Sequence, residues 1–349
     1  MSVHEVMEFI RRGSQRGEAT GVALLVEAWR SAPRAPGARF SVGPGGATAG
    51  SISAGCVEAD LGEHLAAVSA GAPARLVRYG IDDAAATAVG LSCGGAIEVL
   101  VQRHEPGDPV WAWLAKAADD GREGVLVTDL SGPSPGRQLL VTAAGERIGS
   151  LGDADRDGRA YEWALRSLEV RSRPTISVPA PGDRLFVEPI LKPPRLFVVG
   201  ATSMAIALAG LGRVLGFPVM IVDPRETLAL RAKDAGADTI RSEPGVALRE
   251  AGLGPADAVA VLAHDPRLDG KALRAALEGG AGYVGLLGGR RTQRARREAL
   301  REDGVDPELI EKVRGPIGLD IGAESPEEIA ISILAELIRH WNLPGDRGV

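Results

Sequence analysis

Residues 195–223 read RLFVVGATSMAIALAGLGRVLGFPVMIVD. A short apolar run ends at Gly200, a helical stretch follows over 201–216, and a second apolar run ends at Asp223. Strand, glycine turn, helix and strand in that order make a βαβ unit. The rhythm continues downstream. Strands are expected at 238–241 (DTIR), 258–264 (AVAVLAH) and 282–288 (GYVGLLG), with helices at 226–236, 267–279 and 291–303. Apolar strands alternating with helices imply a parallel sheet covered on both faces. A last helix opens at Ser325-Pro326-Glu327-Glu328, where Ser325 and Glu328 form a capping box and Pro326 occupies the first helical position.

Working back toward the N-terminus, RLFVEPILKPPRLFVVG (184–200) holds Pro189, Pro193 and Pro194 and marks a boundary near residue 190. The chain of 349 residues therefore divides into an N-terminal domain, 1–190, and a Rossmann-like doubly wound domain, 191–349. The first is mixed α/β. Helices are expected over 3–12, 57–70, 110–119 and 158–170, and strands over 22–29, 76–79, 96–102, 124–130 and 138–144. Val57, Leu61, Leu65 and Val68 line one face of the second helix. ERIGSLGD (146–153) reads as a turn.

Composition narrows the function classes. Net charge is −6, which gives no argument for nucleic acid or an anionic membrane. No apolar run reaches the ~18 residues of a membrane span, and MSVHEVMEFIRRGSQRGE lacks a signal-peptide core. A cytoplasmic protein is expected. In a reducing compartment the two cysteines, Cys56 and Cys93, are expected as thiols.

Both lie in Gly-rich turns. Cys56 precedes a predicted helix start, where N–H groups and the helix dipole favour an anion and lower a thiol pKa. A thiolate is a soft metal ligand; the plainer reading is a small cysteine packed against a turn. Glu58 falls in the first helical turn, as dipole compensation or facing a ligand. Cys93 is followed by Gly94 and Gly95, whose backbone N–H groups suit a pterin or phosphate, or merely a tight turn.

In the second half, Gly200 stands where a dinucleotide fingerprint begins, but Thr202 takes the second glycine's place. Asp223 ends the next strand, where a ribose-binding acid belongs. His264 and Asp265 sit at the carboxyl end of a predicted strand; they face a ligand or stabilise a turn. Arg290 and Arg291 open a helix and suit a phosphate. The later arginines, Arg294 to Arg301, read as a solvated face.

Four stretches together resemble the XdhC/CoxI family: SAPRAPGARF leading to GSISAGCVEADL, GLSCGGAIEVLVQ, LFVEPILKPPRLFVVGA, and the run from AHDPRLDGKAL through YVGLLGGRRT to GPIGLDIGAESPEEIAISILAELI. They follow the family's order over most of the chain. The chain departs from the family's usual pattern at Ala54, Ala263 and Gly289, where Gly, Thr and Ser are commoner. The resemblance implies an accessory protein, a chaperone that binds molybdenum cofactor (molybdopterin), supports its sulfuration and inserts it into a molybdenum hydroxylase of the xanthine dehydrogenase, CO dehydrogenase or aldehyde oxidase type. A cysteine desulfurase is a further implied partner. On this reading Cys56 is the metal-facing ligand, no residue is catalytic, and Glu58, Cys93, Gly94, Gly95, Gly200, Asp223, His264, Asp265 and Arg290 complete the cofactor-binding set. The alternative is an NAD(P)-dependent oxidoreductase, supported by the βαβ unit and Asp223. A second copy of the chain, as a homodimer, is the remaining candidate partner.

Overall fold

Two antiparallel sheets build the first half of the chain in the computed structural model, which describes residues 3–80, 95–132, 134–171 and 173–342. Contacts divide the chain into units Met1–Lys192 and Pro193–Val349.

The first unit opens with α1 (Val3–Gln15), β1 (Thr20–Trp29), β2 (Arg39–Val42), β3 (Thr48–Gly50), α2 (Glu58–Ser69), β4 (Arg75–Tyr79) and β5 (Ala96–His104). Its first sheet has the order β3-β2-β1-β5-β4. Then come α3 (Pro109–Asp120), β6 (Gly124–Asp129), β7 (Gln138–Thr142), β8 (Arg147–Gly149), α4 (Ala154–Glu169), β9 (Thr175–Ser177) and β10 (Leu185–Ile190). The second sheet has the order β8-β7-β6-β10-β9.

β1 is apolar from Val22 to Val26 because both its faces are covered there. Ala23 and Leu25 pack with Leu61, Leu65 and Val68 of α2. Leu24 and Val26 point the other way and meet Leu100, Leu130 and Phe186, which joins the two sheets. α4 covers the second sheet through Ala160 and Ala164, against Val125, Val127 and Val187. The expected helices and strands of this half are present. α4 starts earlier than its apolar pattern suggests, at Ala154, because Asp153 accepts the Asp155 N–H and caps it. Part of the expected turn 146–153 is strand β8, paired with β7.

A buried ion pair also spans the two sheets. Arg39 of β2 donates from Nη1 and Nη2 to the Glu188 carboxylate of β10, at 2.6 and 2.5 Å. The two side chains are 1% and 4% exposed, so the pair is out of water. Arg39 follows a turn, and its acid lies in another sheet; no local pattern shows the pair.

The second unit comprises β11 (Leu196–Val199), α5 (Ser203–Val214), β12 (Val219–Val222), α6 (Glu226–Asp234), β13 (Asp238–Ile240), α7 (Pro244–Glu250), β14 (Ala258–Val261), α8 (Pro266–Glu278), β15 (Tyr283–Leu286), α9 (Arg290–Glu302), α10 (Pro307–Ile310), β16 (Val313–Arg314) and α11 (Pro326–Asn342). The strand order is β13-β12-β11-β14-β15-β16, and every pair is parallel. This is the Rossmann order, with a topological switch point between β11 and β14. One apolar core lies under α5 and α11, the other under α7 and α8. The capping box forms: Glu328 accepts the Ser325 N–H at 2.9 Å, and Ser325 Oγ accepts the Glu328 N–H at 3.2 Å. Among the described residues no helix is long and apolar enough to cross a membrane.

Candidate functional sites

In the first unit, the loop 51–57 joins β3 to α2 and carries Cys56. The Glu58 carboxylate folds back into this loop. Its Oε1 accepts from Ser51 Oγ and from the Ile52 and Ser53 N–H groups, at 2.8, 3.0 and 2.8 Å. Its Oε2 accepts from Ser53 Oγ and from the Gly55 and Val57 N–H groups, at 2.5, 2.9 and 3.3 Å. Burial pushes this carboxyl up, but the Ser53 and Ser51 hydroxyls and the Ser53 and Ile52 N–H groups outweigh it and bring its pKa down to about 2. The loop N–H groups of Ile52, Ser53, Gly55 and Val57 are thus engaged by Glu58. Cys56 itself is partly buried and packs against the core that contains Leu61 and Ile97.

The same end of the sheet holds other groups. Tyr79, ending β4, donates to Asp60 Oδ2 of α2 at 2.5 Å. Gly95 precedes β5 and lies against the chain after β1: a Cβ there would stand 2.5 Å from the Ser31 carbonyl oxygen. Only glycine allows that approach. Cys56, Glu58 and Gly95 therefore belong to one end of the first sheet. Cys93 and Gly94 lie outside the described residues.

In the second unit, the remaining residues named from the sequence follow the carboxyl ends of parallel strands. Gly200 follows β11 with φ 98°, and a Cβ would stand 2.5 Å from Ala263 Cα, across the switch point. Gly200→Ala is expected to destabilise this unit by about 1–3 kcal/mol, through backbone strain and overpacking. Urea unfolding beside the wild type checks this; an unchanged midpoint would refute the close-approach argument. Thr202, standing in the fingerprint's second glycine position, is the N-cap of α5, its Oγ1 accepting the Ala205 N–H at 3.2 Å.

Asp223 is 1% exposed. Its Oδ2 accepts the Ala201 N–H at 2.7 Å and Arg225 Nη2 at 2.7 Å; its Oδ1 accepts the Arg225 N–H and Nε, both at 2.9 Å. Burial pushes its carboxyl up, but Arg225 and the Ala201 N–H hold it below the usual carboxylate range. Asp223 thus ties the turn after β11 to the end of β12. His264 is exposed and left-handed, at φ 57°. Asp265 is the N-cap of α8, accepting the Arg267 and Leu268 N–H groups at 2.9 and 3.3 Å. Arg290 is the first residue of α9 and is exposed.

Two groups at this edge carry little signal in the sequence. Arg225 grips Asp223, and the Asp-Pro-Arg order after the strand is its only local sign. Asp269 is buried in the first turns of α8 with Oδ2 paired to Arg296 Nε at 3.1 Å, and burial raises its pKa. Arg296 is therefore not part of a solvated face. Arg297 likewise donates to the Ile310 and Val313 carbonyls.

The sequence of residues 196–337 matches the model of the XdhC Rossmann domain, and residues 14–80 match that of the XdhC and CoxI family. The chain belongs to the XdhC and CoxI family. A Bacillus subtilis protein whose name describes a probable xanthine dehydrogenase subunit is 29% identical over 327 residues, 92% of this chain and 93% of its own length. An Escherichia coli protein named molybdenum cofactor insertion chaperone PaoD is 26% identical over 332 residues, 95% of this chain and 86% of its own. A solved structure described as a xanthine dehydrogenase from Bacillus halodurans shares the fold. Its TM-score is 0.72 at 22% identity, covering 99% of this chain and 100% of that one.

Proposed function

We propose that this XdhC and CoxI family member is an accessory protein, without catalytic residues of its own, that binds molybdenum cofactor and delivers it to a molybdenum hydroxylase. The observation that carries this reading is the family match in both halves, beside a relative named as a cofactor insertion chaperone that aligns over 95% of this chain. The domain division at 190 assigns the sulfur-bearing site to residues 1–190 and the strand-edge residues Gly200, Asp223, His264, Asp265 and Arg290 to residues 191–349.

The residues present fit such a cargo. Among the described residues no three His, Cys, Asp or Glu side chains converge on a metal position. A molybdenum atom bound here would bring its pterin dithiolene ligands with it, and Cys56 would add one soft sulfur. Glu58 keeps the loop around Cys56 in place, and Gly95 would offer backbone to the pterin, the role the sequence reading also gives to Cys93 and Gly94. Support for sulfuration by a cysteine desulfurase, and a client of the xanthine dehydrogenase, CO dehydrogenase or aldehyde oxidase type, belong to the same proposal.

The NAD(P)-dependent oxidoreductase is the second reading, and the Rossmann strand order favours it. Against it, both carboxylate oxygens of Asp223 are already bonded to Ala201 and Arg225, and Thr202 replaces the glycine beside which a pyrophosphate would lie.

The test is anaerobic purification of wild type and Cys56→Ser, with pterin, molybdenum and nucleotide assayed in each and thermal melts run in parallel. Wild type is expected to retain pterin. The serine variant should lose most of it while its stability changes by less than about 1 kcal/mol, because the volume change is small and a hydroxyl is a poor soft ligand. Equal pterin in both would remove Cys56 from the site. Bound NAD(P) without pterin would replace the chaperone reading with the oxidoreductase.

A further inference from the structure

Arginines in residues 3–192 are nearly all engaged. Arg156 and Arg159 hold Asp129 and Asp183, Arg184 and Arg78 hold Glu98, and Arg147 stacks on Tyr161. Arg30, Arg34 and Arg173 differ: among the described residues none has an acid, a carbonyl or a ring as partner. They lie on or next to one loop. Arg30 and Arg34 lie in the connection from β1 to β2. Gly37, in that connection, would place a Cβ 3.2 Å from Pro174, the residue after Arg173. The nearby acid, Glu188, is bonded to Arg39. The loop is held rather than loose: the Gly37 N–H donates to the Leu25 carbonyl at 2.8 Å, and Gly95 lies against Ser31. Arg30 also sits at φ 59°, a left-handed conformation that costs energy for a residue with a Cβ.

Arginines on and beside one ordered loop, with no acid as partner among the described residues, are available to an anion. We infer that Arg30, Arg34 and Arg173 form a receiving site for a phosphate monoester. Guanidinium groups bind phosphate oxygens in pairs, which gives the site its geometry as well as its charge. The inference deepens the proposed function and rests on it in one respect: molybdopterin ends in a phosphate monoester, and these arginines would hold that end near the part of the sheet that carries Gly95.

The test uses the full chain. Phosphorus NMR line broadening is followed with inorganic phosphate and with glycerol 3-phosphate, for wild type, R30A/R34A, R173A, R30K/R34K, and R12A as a control whose arginine pairs with Glu8 on another element. Pterin content and the thermal melt are measured on the same samples. Saturable binding is expected in wild type and the control. It should weaken by about tenfold or more in the double alanine variant, the consequence of losing charge-assisted hydrogen bonds. R173A should weaken it, and the lysine variant should recover part of it, with all melts unchanged.

Equal phosphate binding in all five proteins, or none that saturates in wild type, would overturn the inference. So would binding to phosphatidic acid vesicles with none to the soluble esters, since that points to a lipid headgroup. Arginine-dependent phosphate binding by a chain that retains no pterin would leave the inference standing while the cofactor reading fails. Full pterin retention in R30A/R34A with undiminished phosphate binding would do the reverse.

Discussion

Replacing Arg39 by alanine is expected to lower the stability of the N-terminal unit by about 3–5 kcal/mol, the range for breaking a buried ion pair by removing one partner. Glu188 would be left charged, with its former partner gone and its side chain 4% exposed. The Gly37 carbonyl would also lose the Arg39 Nη1 donor at 3.1 Å. Removing both charges should be much milder: Arg39→Met with Glu188→Leu is expected to recover most of the loss, because neither ion is then buried alone. Tryptophan fluorescence during urea unfolding reads this well, since Trp29, Trp111, Trp113 and Trp163 all belong to this unit. If Arg39→Ala were no worse than the double variant, the pair would not couple the two sheets.

Glu58 is the second large effect. Glu58→Ala is expected to cost about 2–3 kcal/mol, because one side chain satisfies the N–H groups of Ile52, Ser53 and Gly55, while the Val57 N–H is also held by Ser53 Oγ at 2.9 Å. The effect should carry a pH signature. The carboxyl is lowered from 4.5 to about 2 in the folded chain. A depressed carboxyl contributes in full above its unfolded pKa and is lost as pH falls through the folded one. The stability difference between wild type and Glu58→Gln should therefore hold above about pH 4.5 and shrink steadily toward about pH 2. Circular dichroism melts across that range measure it. A difference that stayed constant with pH would show that shape, not charge, holds the loop. Because Glu58 is adjacent to the loop that presents Cys56, this variant also separates loop order from sulfur chemistry: pterin lost in Glu58→Gln but Cys56 placement unchanged by hydrogen exchange would assign Glu58 a direct contact.

The parts of the fold that were legible share a physical property: their signal is local. The parallel strands of the second unit are buried on both faces, so they appear as uninterrupted apolar runs such as LFVV and AVAV. Helix starts were legible for the same reason. Ser325 and Glu328 satisfy each other three residues apart. The Gly200 turn and the position of Asp223 followed from the βαβ spacing, and so did the prediction of a Rossmann-like sheet.

What the tertiary structure alone decided is the partner of each polar group. Asp223 occupies the place of a ribose-binding acid, yet its oxygens are filled by Ala201, 22 residues away, and by Arg225. The loop donors near Cys56 go to Glu58 because the chain reverses there and brings the carboxylate into reach. Arg296 looks exposed on a helix rich in charge, and only the packing of α8 beside α9 buries it against Asp269. Arg39 and Glu188 are 149 residues apart and meet because two sheets face each other. Burial pattern and backbone spacing are written along the chain, so sequence determined the main elements of the second unit and the parallel sheet they form. Hydrogen-bond and charge partners are set by closure of distant segments, so only the folded molecule decided which polar groups are already satisfied and which, like Arg30 and Arg34, have no side-chain partner among the described residues.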